Sequence, residues 1–104
     1  MELNAGSINI LTNTAYTIGI AGRATRVYSA FCYGSLGTAG SLRLMNAAAA
    51  GTEFARLVVD ARISTKGTDF IDWGENGLLF PNTCYACPNS ATVYSTIVYE
   101  TLPI

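Results

Sequence analysis

A chain of 104 residues has room for one domain, and half of its residues are apolar while 12% are charged, against roughly a quarter in an average soluble domain. So little charge leaves neutral or apolar surface outside, which favours a partner or an oligomer. Six basic and seven acidic residues, dispersed along the chain, give a net charge of −1 and exclude the concentrated basic footprint of nucleic-acid binding, and the absence of histidine removes the commonest general base and zinc ligand.

Residues 1–22 hold two short alternating segments, Ser7-Ile8-Asn9-Ile10-Leu11-Thr12 and Ala15 to Ile20, with Asn13-Thr14 between them as a turn. They are expected to form an outer strand pair, a hairpin, or an arm that reaches a neighbouring subunit. Residues 23–104 carry the rest of the single domain. Arg23 to Tyr33 reads as a central strand, with Val27, Ser29, Phe31 and Tyr33 on one face and Tyr28, Ala30 and Cys32 on the other, both largely apolar. Gly34 to Gly40 is a glycine-rich connection at the rim. It lacks the Lys-Ser/Thr and following helix of a phosphate-binding loop, because Ser41-Leu42-Arg43-Leu44 continues as a strand with its leucines inward.

Asn46-Ala47-Ala48-Ala49-Ala50-Gly51 is too short to sustain a helix and is expected as one turn or a loop. Glu53 to Asp60 alternates Ala55, Leu57 and Val59 against Phe54, Arg56 and Val58. Lys66-Gly67 suits an edge or a hairpin tip, and Thr68 to Trp73 is a further short strand. Gly74-Glu75-Asn76-Gly77 calls for positive φ before Leu78-Leu79-Phe80 enters the core. Cys84 to Cys87 is a short strand closed by Pro88. Thr92 to Thr101 is the longest clean strand, with Val93, Ser95, Ile97 and Tyr99 on one face and Tyr94, Thr96, Val98 and Glu100 on the other. Some eight to ten short strands at this spacing give an all-β antiparallel sandwich or barrel.

No catalytic set assembles on this pattern. Cys32, Cys84 and Cys87 are an odd number, short of the four ligands of a zinc site, and Cys84 and Cys87 are three apart on a strand and so face opposite sides. Structural thiols are expected. Asp69, Asp72 and Glu75 lack the ligand spacing of a calcium loop and read as solvated rim charges, with a glycosidase pair as the functional alternative. The six tyrosines and one tryptophan could stack on sugars, but tyrosines inside strands more often pack in a core or a subunit contact. Serines and threonines have no adjacent base to activate them, so an enzyme is not expected. No apolar run approaches the roughly 20 residues of a membrane span, and Met1-Glu2-Leu3-Asn4 lacks a basic n-region, so synthesis in the cytoplasm is expected.

The runs Arg26 to Tyr33, Gly37 to Leu44, Phe70 to Pro81 and Thr92 to Glu100 resemble small virion proteins of tailed bacteriophages. There a strand, a Gly-Thr/Ser turn, a Leu-x-Leu strand, a glycine-flanked step and a terminal strand of the form Thr-Val-x-x-x-x-Val-Tyr-Glu recur in this order. The likeness spans Arg26 to Glu100, and the sequence departs from it at Asn82 to Cys87. It implies a compact, jelly-roll-like β-sandwich without cofactor, made in the host cytoplasm and carried in the virion. The implied role is capsid decoration or cement, with a neck, tail or fibre component or a host-glycan-binding module as the alternative. Homo-oligomers, trimers above all, and a major capsid or other virion protein are the implied partners, with no nucleic acid and no membrane. Ile8, Ile10, Leu11, Tyr28, Tyr94 and Val98 are the candidate contact residues.

Overall fold

The computed structural model describes residues 4–10 (backbone alone), 15–35, 37, 39–47, 51–62, 66–89 and 93–102. Nine strands follow one another: β1 (Asn4–Ile10), β2 (Tyr16–Ile18), β3 (Thr25–Gly34), β4 (Ala39–Met45), β5 (Glu53–Asp60), β6 (Thr68–Asp72), β7 (Leu78–Phe80), β8 (Cys84–Pro88) and β9 (Val93–Thr101). They form two antiparallel sheets, one ordered β1-β9-β3-β6 with β7 also on β3, the other β2-β8-β4-β5.

Pairing runs from the ends of the chain inward: β1 with β9, β2 with β8, β3 with β6, β4 with β5. Rolling up such a nested set of strand pairs gives a jelly roll, so the fold is the expected sandwich. The two N-terminal strands therefore join different sheets and do not pair with each other.

β6 and β7 form one interrupted strand. Both lie antiparallel on β3, β6 along Ser29–Tyr33 and β7 along Thr25–Val27, and residues 73–77 loop out between them. Gly74 and Gly77 take positive φ, 73° and 64°, as the turn chemistry requires. The Trp73 amide donates to the Tyr28 carbonyl at 2.9 Å, pinning the excursion to β3.

The core lies between the sheets. Val27, Ala30, Cys32, Phe80, Val93 and Ile97 from one sheet meet Ile18, Leu42, Leu44, Leu57, Val59, Cys84 and Ala86 from the other. Each fully buried aliphatic or aromatic side chain contributes about 1.5–3 kcal/mol. Phe80 is wholly buried, and its ring stacks on Phe54 with centroids 4.6 Å apart and planes 15° apart.

One expectation about β3 needs correction. Its pairing with β9 shifts register between Val27 and Ser29, a β-bulge that leaves Tyr28 as the additional residue. Side-chain alternation reverses there: Thr25 and Val27 point inward before the bulge, Ala30 and Cys32 after it, and Phe31 and Tyr33 turn out instead of sharing a face with Val27. A second register shift, at Leu44/Met45, makes Phe54 the additional residue of β5 and leaves both Phe54 and Ala55 packed on the core.

Candidate functional site, an aromatic sheet face

The bulge at Tyr28 turns the second half of β3 outward, and its neighbours complete an apolar surface. Directly opposed residues in an antiparallel pair share a face. Three rows cross β6, β3 and β9 on the outside of the five-stranded sheet: Thr68, Tyr33 and Tyr94; Phe70, Phe31 and Thr96; Asp72, Ser29 and Val98. Phe70 is 56% exposed, Tyr33 42%, Val98 40% and Phe31 37%. Rings line up along and across the strands, with Phe31 and Tyr33 centroids 6.1 Å apart and Tyr33 and Tyr94 5.2 Å apart, both pairs tilted. Of the nine residues in these rows, Asp72 alone carries a formal charge. Exposed aromatics grouped in this way, with polar residues around them, mark an interaction surface.

The structure places the sequence-predicted contact residues unevenly. Tyr94 and Val98 belong to this face. Tyr28 is half-buried at the bulge, and its hydroxyl donates to Glu100 Oε1 at 3.4 Å. Ile8 and Ile10 stand in the register opposite Ile97 and Ser95, both buried, and Leu11 lies outside the described residues. Phe31, Tyr33 and Phe70 were not anticipated. Phe70 had a signal: its neighbours two positions away, Thr68 and Asp72, are polar, which marks an outward row.

The carboxylates of the rim do structural work. Asp69 Oδ2 accepts from the Val58 amide on β5 at 2.9 Å while its Oδ1 accepts from the Phe70 amide at 2.9 Å, so one side chain ties the two sheets together where β5 and β6 run side by side. Asp72 Oδ1 accepts from the Gly74 amide at 2.8 Å and braces the excursion. A purely solvated reading of Asp69 and Asp72 is thereby corrected, because each holds backbone donors. Glu75 is exposed.

Thiol chemistry is suppressed by burial. Burial, reinforced by the nearby Asp69 carboxylate, pushes the Cys32 thiol up to about 12, and burial with Cys87 beside it does the same to Cys84, also to about 12. Cys87 is likewise pushed up by burial, against the pull of Arg43. Its register partner is Arg43, whereas Cys84 sits opposite the core residue Ile18, so the two cysteines do face opposite sides of β8.

On the outside of the other sheet an open depression of about 420 Å³ is lined by Ser41, Arg56, Val58, Arg62 and Asn89 among others. Both arginines there are already paired, Arg56 with Glu53 and Arg62 with Asp60, each at 2.8 Å. Among the described residues no helix is long and apolar enough to cross a membrane.

No family model and no curated protein matches the chain. Among solved structures it is similar to a chain of the virus-like particle of extra small virus from the giant freshwater prawn Macrobrachium rosenbergii, with 8% identity over 96% of this chain and 77% of that one and a TM-score of 0.44. It is also similar to a chain of Bacillus endospore appendages, described as a novel family of disulfide-linked pili, with 12% identity, 98% and 88% coverage and a TM-score of 0.48. The coat protein of tobacco streak virus is a third, at 12% identity, 96% and 87% coverage and a TM-score of 0.34. Likenesses at this level carry no argument about function.

Proposed function

We propose that this chain is a non-enzymatic structural protein of a bacteriophage virion, acting as a capsid decoration or cement protein that binds capsid subunits. The observation that carries the reading is the aromatic outer face of the five-stranded sheet, where Phe31, Tyr33, Phe70, Tyr94 and Val98 are grouped on a rigid element. The resemblance of Arg26 to Glu100 to small phage virion proteins supplies the kind of partner, and it also implies a trimer. The chemistry of the remaining polar groups agrees: Asp69 and Asp72 hold backbone amides, and the buried thiols stay protonated at neutral pH.

Such a protein acts by linkage. Binding the assembled shell and not its separated subunits adds the binding free energy to the stability of the shell. An aromatic face suits this task, since large rings bury much area for little loss of rotamer freedom.

The test is the copy number of this chain relative to the major capsid protein in purified particles, by quantitative mass spectrometry. Near-stoichiometric amounts support decoration or cement. A few copies per particle transfer the chain to the neck, tail or fibre, and its absence from particles overturns the virion role.

A further inference from the structure

Two open sheets have four outer strands, and each offers a row of backbone amides and carbonyls to any strand that comes alongside. Here they are β1 and the β6–β7 line in one sheet, β2 and β5 in the other. Three are short or guarded. β2 has three residues. β5 carries Glu53, Arg56 and Asp60, and its Val58 amide is already held by Asp69. The β6–β7 line carries Asp69 and Asp72 and is broken by the 73–77 excursion. β1 is the edge that is both long and unguarded: it has seven residues, no charge and no proline, it keeps regular register with β9 along its whole length, and among the described residues no strand lies on its far edge.

We propose that this open edge pairs antiparallel with β1 of a second copy, about a twofold axis perpendicular to the sheet, joining the two five-stranded sheets into one. The inference stands on strand edges and does not depend on the virion role. A twofold always sets like against like, so it tolerates an uncharged edge and penalises a charged one. With the axis at Ser7, Asn4 faces Ile10 of the second copy, Ala5 faces Asn9, Gly6 faces Ile8, and Ser7 faces its own counterpart, so all seven residues of β1 are paired.

This register also keeps the two sandwiches in phase. Asn4, Gly6, Ile8 and Ile10 stand opposite Thr101, Tyr99, Ile97 and Ser95 of β9, and Ala5, Ser7 and Asn9 opposite Glu100, Val98 and Thr96. Pairing about Ser7 matches each set with itself, so both cores fall on one side of the joined sheet and both aromatic faces on the other. A slip of one residue would set the core side of one copy against the outer side of its neighbour. Joined in phase, the two aromatic faces become one surface of twice the extent. A threefold contact elsewhere on the chain remains compatible, because it would use other residues.

The test uses the full chain and the variants Ser7→Lys and Ser7→Glu, each first shown by circular dichroism and thermal unfolding to match the unsubstituted fold. Sedimentation velocity and native mass spectrometry over a concentration series should show assemblies with even copy numbers for the unsubstituted chain. Ser7→Lys alone should weaken the twofold step at least about tenfold, since it places two lysines directly opposite one another at the axis. An equimolar mixture of Ser7→Lys and Ser7→Glu should regain it. A strictly monomeric or trimeric unsubstituted chain overturns the proposal, as does self-association of Ser7→Lys at undiminished strength, or a failure of the mixture to recover. Dissociation by Phe70→Lys in place of Ser7→Lys also overturns it and assigns self-association to the aromatic face. None of these results bears on the copy number in particles, which tests the virion role separately.

Discussion

Replacing Asp69 with alanine removes a single carboxylate that holds two backbone amides from different sheets, Val58 on β5 and Phe70 on β6, each at 2.9 Å. A hydrogen bond to a charged acceptor contributes about 1.5–3 kcal/mol when its partner is left with nothing. Both donors border solvent and water can take over part of the work, so the loss should total about 1.5–2 kcal/mol. For a domain of this size that lowers Tm by roughly 6–16 °C. Thermal and urea unfolding measure the loss directly, and Asp69→Asn, which keeps one acceptor oxygen, should fall between the two. A second effect follows from the place of the bond. Freeing the Val58 amide opens β5 as an edge, so Asp69→Ala combined with Ser7→Lys should self-associate more strongly than Ser7→Lys alone. If Asp69→Ala unfolds within about 1 °C of the unsubstituted protein, the side chain does not tie the sheets and the reasoning fails.

Three further outcomes are expected. Phe80→Ala removes a wholly buried ring stacked on Phe54 and should cost about 3–5 kcal/mol, read as a lower urea midpoint at unchanged m-value; a loss below about 1 kcal/mol would show that the ring is not central to the core. Cys32 and Cys84 should resist alkylation in the folded chain, and because unfolded thiols ionise near 9 while these two are held at about 12, the unfolded state releases protons first and stability falls as pH rises through that window. The double variant Cys32→Ala with Cys84→Ala should flatten this alkaline dependence, and an unchanged slope would assign it to other groups. Phe70→Lys, at a 56% exposed position, should leave stability within about 0.5 kcal/mol but prevent incorporation into particles; full incorporation would remove the aromatic face from the contact.

Much of the sandwich was legible because alternation speaks directly about regular strands. The inward set Val93, Ser95 and Ile97, the pair Leu42 and Leu44, and the pair Leu57 and Val59 all lie where period two puts them. The faces of β3 were not legible. Both phases of Val27 to Tyr33 are apolar, so nothing in the pattern announces that one residue, Tyr28, stands outside the ladder. Asp69 escaped for a different reason: its partner Val58 lies on a strand of the other sheet, and the chain separation conceals that contact. The turn at Asn13-Thr14 suggested that the two N-terminal segments pair, whereas the roll sends them to opposite sheets, a non-local outcome that local turn chemistry cannot express. Of the aromatic face, Tyr94 and Val98 could be named from β9 alone and Phe70 from the polar residues two positions to either side of it in β6, whereas Phe31 and Tyr33 required the bulge.

The bulge at Tyr28 coincides with the point where β3 changes neighbours, from β7 along Thr25–Val27 to β6 along Ser29–Tyr33. The strand behaves as two half-strands spliced out of phase, each with its own reading frame for inside and outside. Substitutions that tune the aromatic half need not be answered in the half that closes on Phe80, so the outer face can diversify while the core end stays fixed. The same splice makes residue number between Arg26 and Ser29 more consequential than residue identity. Deleting one position there would restore a single frame and turn one half of β3, either its core residues or its aromatic ones, to the wrong side of the sheet.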